Sequence, residues 1–107
     1  MAFHELRQYL VKQGKMAEWL TLMEGEIIPY VQSKGMVLIA SFRGEVDDSV
    51  YVWIRRFENE THREQLYAAV YESDHWKNSL SPRIGTLIER DASIVQRIVP
   101  TAHSPVQ

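Results

Sequence analysis

The chain has 107 residues, which at roughly 100–200 residues per domain is one domain. A hydrophobic content of 45% and a charged content of 24% exclude a disordered or collagen-like chain, and no apolar run approaches the ~20 residues of a membrane span. The absence of cysteine excludes disulfides, thiolate metal sites and cysteine nucleophiles, and a formal charge of −2 argues against a nucleic-acid backbone as partner.

In chain order, the first predicted strand is Phe3 to Val11. Phe3, Glu5, Arg7, Tyr9 and Val11 fall on one face, and His4, Leu6, Gln8 and Leu10 on the other. Gln13-Gly14 breaks the pattern. A helix over Lys15 to Lys34 follows, because Met16, Trp19, Leu20, Met23, Ile27, Tyr30 and Val31 recur at three- and four-residue steps. Gly25 costs this helix roughly 1 kcal/mol against alanine. Pro29 lacks a donor and predicts a kink. Gly35 is placed as a left-handed cap.

Strands at Met36 to Arg43 and Val50 to Phe57 flank the polar turn Gly44 to Ser49 and read as an antiparallel hairpin. Asn59 caps a second helix, with Glu60 in its first turn and Leu66, Tyr67, Val70 and Tyr71 on its apolar face. Ser73 starts a short helical turn around Trp76. Ser81-Pro82 signals another start, with Ile84, Leu87 and Ile88 at helical spacing. The last strand is Ile94 to Val99, ended by Pro100, and the tail Thr101 to Gln107 is expected to fray. No linker or repeat appears, so residues 1–107 read as a single domain with its core at about 3–100.

Strand, helix, strand, strand, helix, strand is the ferredoxin-like α+β order βαββαβ, a four-stranded antiparallel sheet with the first and third strands central. Helices can cover only one face of such a sheet. The other face is not polar throughout, since both faces of the third strand are largely apolar or aromatic. Such a face needs a cover, and in a short chain the simplest is a second copy, sheet against sheet. A homodimer is therefore expected, with a dimer of dimers as a further option.

Several segments resemble NIPSNAP-family domains: Glu5-Leu6-Arg7-Gln8-Tyr9 with Gly14-Lys15, Tyr51-Val52-Trp53-Ile54-Arg55-Arg56-Phe57, Tyr71 to Lys77 with Pro82-Arg83, and Arg97-Ile98-Val99-Pro100. The resemblance spans about Phe3 to Pro100. It implies a dimeric α/β barrel and no settled reaction. The wider superfamily includes cofactor-independent monooxygenases, haem-degrading enzymes and small-molecule isomerases or dehydratases, which work in a cavity between sheet and helices. Fold likeness alone does not transfer those activities.

Arginine inside strands is the unusual feature. Arg7 shares a face with Glu5 and Tyr9, and Arg55 with Tyr51 and Trp53; Arg43 and Arg97 could join from the edge strands. A guanidinium pair among aromatic rings would bind a carboxylate or an enolate, with the rings against an apolar ligand body. Alternatively the arginines pair with Glu5 or Glu58, or serve the subunit interface. Trp19, Tyr30, Tyr67, Tyr71 and Trp76 could wall a cavity, with Tyr67 and Tyr71 as polar donors, or form plain core. Among the histidines, His103 lies in the tail and His62 in a solvated first turn. His75 is the candidate general base.

No two histidines have ligand spacing on one element, so no metal is expected. The acidic loop Glu45, Asp47, Asp48 lacks the ligand alternation of a calcium hand. Gln13-Gly14-Lys15 is not a phosphate loop, and no Gly-x-Ser-x-Gly element exists. The candidate ligand-binding set is thus Arg7, Tyr9, Tyr51, Trp53 and Arg55 from strands, with Tyr67, Tyr71, His75 and Trp76 from helices. The expected function is a homodimeric binding protein for a small anionic or aromatic molecule, with no catalytic residue assigned and no cofactor, nucleic acid or membrane as partner. A cofactor-independent monooxygenase or isomerase is the alternative, and haem binding or degradation through His4 or His75 is a third reading. With no targeting leader recognised, a cytoplasmic setting is expected.

Overall fold

The computed structural model describes residues 2–107. Its elements are β1 (Phe3–Val11), α1 (Met16–Leu22), α2 (Ile28–Ser33), β2 (Val37–Arg43), β3 (Val50–Phe57), α3 (Glu60–Tyr71), α4 (Ser81–Leu87) and β4 (Ile88–Ile98). The strands form one antiparallel sheet in the order β2-β3-β1-β4. This is the α+β ferredoxin-like arrangement that the sequence predicts, with β1 and β3 central.

Burial alternates along β3: Tyr51, Trp53, Arg55 and Phe57 are buried, and the residues between them are half-exposed. The register pairs Phe3 with Phe57, Glu5 with Arg55, Arg7 with Trp53 and Tyr9 with Tyr51. Directly opposed residues share a face, so the odd-numbered faces of the two central strands coincide beneath the helices. Trp19, Met23, Ile27, Val31, Val70 and Leu80 close over them as the core. Fully burying a side chain such as Phe57 contributes roughly 1.5–3 kcal/mol.

The first helical segment is not the single kinked helix predicted over Lys15 to Lys34. A π-helical turn, Met23–Ile27, separates α1 from α2, and the Ile28 N–H bonds the Met23 carbonyl five residues back. The physical reason is Pro29. It supplies no N–H, so the regular four-residue ladder cannot continue through it, and the wider π turn reassigns the donors just before it. A second π turn, Trp76–Leu80, precedes Pro82 in the same way, with the Ser81 N–H on the Trp76 carbonyl. Ser81-Pro82 therefore continues a helical turn into α4 rather than starting one afresh. The other caps stand where predicted: Asn59 Oδ1 accepts from the His62 N–H at 2.8 Å, and Ser73 Oγ from the Trp76 N–H at 3.2 Å.

β4 begins at Ile88, not Ile94. Its early residues Glu89, Arg90 and Asp91 are exposed; an edge strand open to solvent needs no apolar alternation, and polar residues blunt the edge. The tail does not fray as expected. Arg56 Nε donates to the Gln107 carbonyl at 3.1 Å, and Ser104 and Val106 lie with His4 and Ile54 around a hollow on the sheet face away from the helices. Leu10, Phe42, Ile94 and Ile98 are exposed, and the strand registers place them on that same face. Among the described residues, no helix is long and apolar enough to cross a membrane.

Candidate functional site

A buried ionic cluster sits on the helix-covered face of β1 and β3. Glu5 Oε1 accepts from Arg7 Nε at 3.0 Å, from the Tyr67 hydroxyl at 2.5 Å, and from Arg55 Nη2. Arg63 Nε reaches Glu5 Oε2 at 3.4 Å. Arg55 is 0% exposed. Its Nη1 donates to the Tyr71 hydroxyl at 2.5 Å, and its carbon centre lies 4.7 Å from the Trp53 ring. Burial alone would push the Glu5 carboxyl up, but Arg55, the Tyr67 hydroxyl and Arg7 outweigh it and hold the group at about 2. Three guanidinium groups, those of Arg7, Arg55 and Arg63, thus share one buried carboxylate, Arg63 pairing with Glu60 as well, and the cluster keeps a positive excess.

That excess reaches a cavity of about 240 Å³ between the sheet and the helices. Arg7, whose side chain is 21% exposed, is both a member of the cluster and a wall of the cavity. Burial weighs against its charge, but the oxygens of Tyr9, Tyr71 and Tyr67 and the Glu5 carboxylate outweigh it and raise its pKa, so it stays protonated. Trp19, Trp53, Tyr71 and Trp76 supply aromatic walls, and Met23, Ile27, Ile84 and Ile88 supply aliphatic ones. Tyr71 and Trp76 meet edge-on at 4.7 Å. Tyr9 also lines the cavity, and burial pushes its phenol up, so its hydroxyl keeps its proton at neutral pH. Among the described residues, no carboxylate lines the cavity. Chemically the arrangement is an aromatic slot with two arginines, Arg7 and Arg90, among its walls, suited to a small anion with an apolar body.

A sequence model of the NIPSNAP family matches residues 4–105. The chain belongs to the NIPSNAP family. A NIPSNAP family protein from Agrobacterium tumefaciens is 27% identical, covers 100% of both chains and superposes with a TM-score of 0.85. An uncharacterized NIPSNAP domain protein from Burkholderia xenovorans is 21% identical, with 98% of this chain and 99% of that chain covered and a TM-score of 0.84. An antibiotic biosynthesis monooxygenase shares the fold at 17% identity, with 94% and 99% covered and a TM-score of 0.68. Among curated proteins no similar sequence was found.

In this NIPSNAP chain, five of the nine ligand-set residues line the cavity: Arg7, Tyr9, Trp53, Tyr71 and Trp76. Four do not. Arg55 is spent beneath it on Glu5, Tyr67 and Tyr71, which is the structural pairing with Glu5 weighed as its alternative. Tyr67 belongs to the same ionic cluster. The Tyr51 hydroxyl bonds Ser41 Oγ at 2.6 Å on the far side of its ring. His75 is exposed, its ring 4.7 Å from that of Tyr30. Arg97 and Arg43 do not join the group: Arg97 bonds Glu60 at 2.5 Å and covers the Phe3 ring at 3.9 Å, while Arg43 is exposed and donates to Gly44. Glu58 pairs with Arg56 instead. His4 lies on the opposite sheet face, so neither histidine named for haem reaches the cavity.

Sequence reasoning missed Arg90 and Ser93 as cavity residues. Both stand in the stretch of β4 that was not recognised as strand. The sequence carries no period-two signal there, since Glu89, Arg90, Asp91 and Ala92 are all exposed. Arg90 turns to Ser81, bonding its carbonyl and, at 3.1 Å, its hydroxyl.

Proposed function

We propose that this NIPSNAP domain is a homodimeric binding protein for a small anionic molecule with an apolar or aromatic body, held in the cavity between sheet and helices. The supporting observation is Arg7: it joins a cluster in which guanidinium groups outnumber carboxylates, and it opens that charge onto a cavity whose other walls are mostly aromatic and aliphatic, with Arg90 and Ser93 among them. A desolvated guanidinium beside flat apolar walls favours a carboxylate-type anion over a neutral ligand. The dimer is supported by Phe42, Leu10, Ile94 and Ile98, which stand exposed on the uncovered sheet face; apolar surface of that kind marks an interaction site.

Native mass spectrometry of freshly purified protein, with calorimetry against benzoate, tests both parts. A dimer is expected, and benzoate binding that Arg7→Met removes. Ligand at 100 times its dissociation constant should add about 2.7 kcal/mol to the wild-type stability and nothing to the variant. A monomer as the main species overturns the dimer, and benzoate binding that survives Arg7→Met overturns the anion site.

A further inference from the structure

Two residues of the cavity wall, Arg7 and Tyr9, hold donors that no acceptor among the described residues receives. Arg7 uses Nε on Glu5 and Nη2 on the Tyr67 hydroxyl at 2.8 Å, which leaves Nη1. Tyr9 accepts from Trp53 Nε1 at 3.0 Å, and its own O–H finds no acceptor among the described residues. Trp19 is 1% exposed, and its indole N–H has no partner there either. Buried donors are normally paired, and leaving one unpaired is costly. Arg7 and Tyr9 line one cavity with no carboxylate to receive them, whereas the Trp19 N–H is closed off within the core. A ligand bearing oxygen acceptors would complete them.

Their placement says how many and where. Arg7 and Tyr9 are two residues apart on one strand face, about 7 Å along the strand. The Trp19 ring packs edge-on against that of Tyr9 at 5.6 Å. Size limits the body. A cavity of about 150 Å³ admits a benzene ring. At about 240 Å³ this one takes a single ring with a carboxylate and one small substituent. The flat walls of Trp19, Trp53, Tyr71 and Trp76 favour an aromatic ring over a puckered one.

Building on the reading of the cavity as an anion site, we infer that its ligand is a single-ring aromatic carboxylic acid with a second oxygen acceptor beside the carboxylate. Arg7 holds the carboxylate, and the Tyr9 hydroxyl donates to the second oxygen.

Calorimetry on the intact chain with benzoate, salicylate and 2-naphthoate tests this. Salicylate should bind about three- to tenfold more tightly than benzoate, the worth of one net hydrogen bond, and 2-naphthoate more weakly than either. Tyr9→Phe should bring salicylate down to the level of benzoate. Tyr51→Phe, whose hydroxyl faces Ser41 outside the cavity, should keep the preference. Equal binding of benzoate and salicylate by the wild type, or a preference that persists in Tyr9→Phe, overturns the second acceptor while leaving the anion site standing. Naphthoate binding as tightly as benzoate overturns the single ring. Failure of every acid to bind, or binding that ignores Arg7→Met, removes the anion site and this inference together. The wild-type comparison needs no variant, so a poorly folding Tyr9→Phe does not shield the inference.

Discussion

Glu5 stands directly opposite Arg55 across β1 and β3, and the two form an ion pair in which both side chains are buried. Removing one partner of such a pair leaves an uncompensated buried charge, which costs about 3–5 kcal/mol. Glu5→Gln strands Arg55 and the half-buried Arg7 at once, so it should lie in that range. The double variant Glu5→Leu/Arg55→Met should lose less than the sum of its two single variants, by a coupling of about 0.5–3 kcal/mol. Urea unfolding of the four proteins measures it; additive losses would show that the pair does not act as a unit.

Acid should destabilise the fold through the same carboxyl. The folded state holds Glu5 at about 2, against 4.5 for an ordinary glutamate. A depressed folded value means that the unfolded chain takes up the proton first. The contribution is therefore complete above about pH 4.5 and lost as the pH falls towards about 2. A shift of that size corresponds to about 3 kcal/mol. Unfolding free energies between pH 6 and pH 2 should fall more steeply for the wild type than for Glu5→Gln, and parallel curves would contradict the assignment.

The uncovered sheet face gives a separate test. Phe42 is 61% exposed, so Phe42→Glu should change the stability of the single chain by no more than about 0.5 kcal/mol. In the proposed dimer the same change buries a charge between two sheets. Sedimentation velocity should then show a folded monomer at concentrations where the wild type sediments as a dimer.

Asn59→Ala should cost about 1 kcal/mol, the usual worth of an N-cap, because the His62 N–H loses its acceptor. Asn59→Asp should restore most of it, since the carboxylate accepts the same bond and suits the helix N-terminus. Thermal melts of the three proteins decide between capping and a mere packing effect.

Particular residues set how far the fold was legible. β1 and β3 could be read from Phe3, Tyr9, Val11, Tyr51, Trp53 and Phe57, which repeat every second position. The face that Glu5, Arg7 and Arg55 occupy could not, since period-two patterning is the same whichever way charged residues point. Only the pairing register puts Glu5 against Arg55 and turns these two charged residues into core. Pro29 and Gly25 marked the right place for an irregularity but not its form, because a kink and a π turn answer the same missing donor. Arg90 and Ser93 were lost with the start of β4, where an exposed edge imposes no pattern on the sequence.

The two π turns also decide how this cavity can be altered. Met23 and Ile27 come from the first turn and Trp76 from the second, so both meet at the cavity's walls. A π turn is in effect one residue inserted into an α-helix. Excising that residue would rotate the downstream helix by about 100° and swing a whole wall aside, where a substitution only trims it. Within this scaffold, the number of residues ahead of each proline is therefore a coarse dial on cavity shape, and side-chain identity is the fine one.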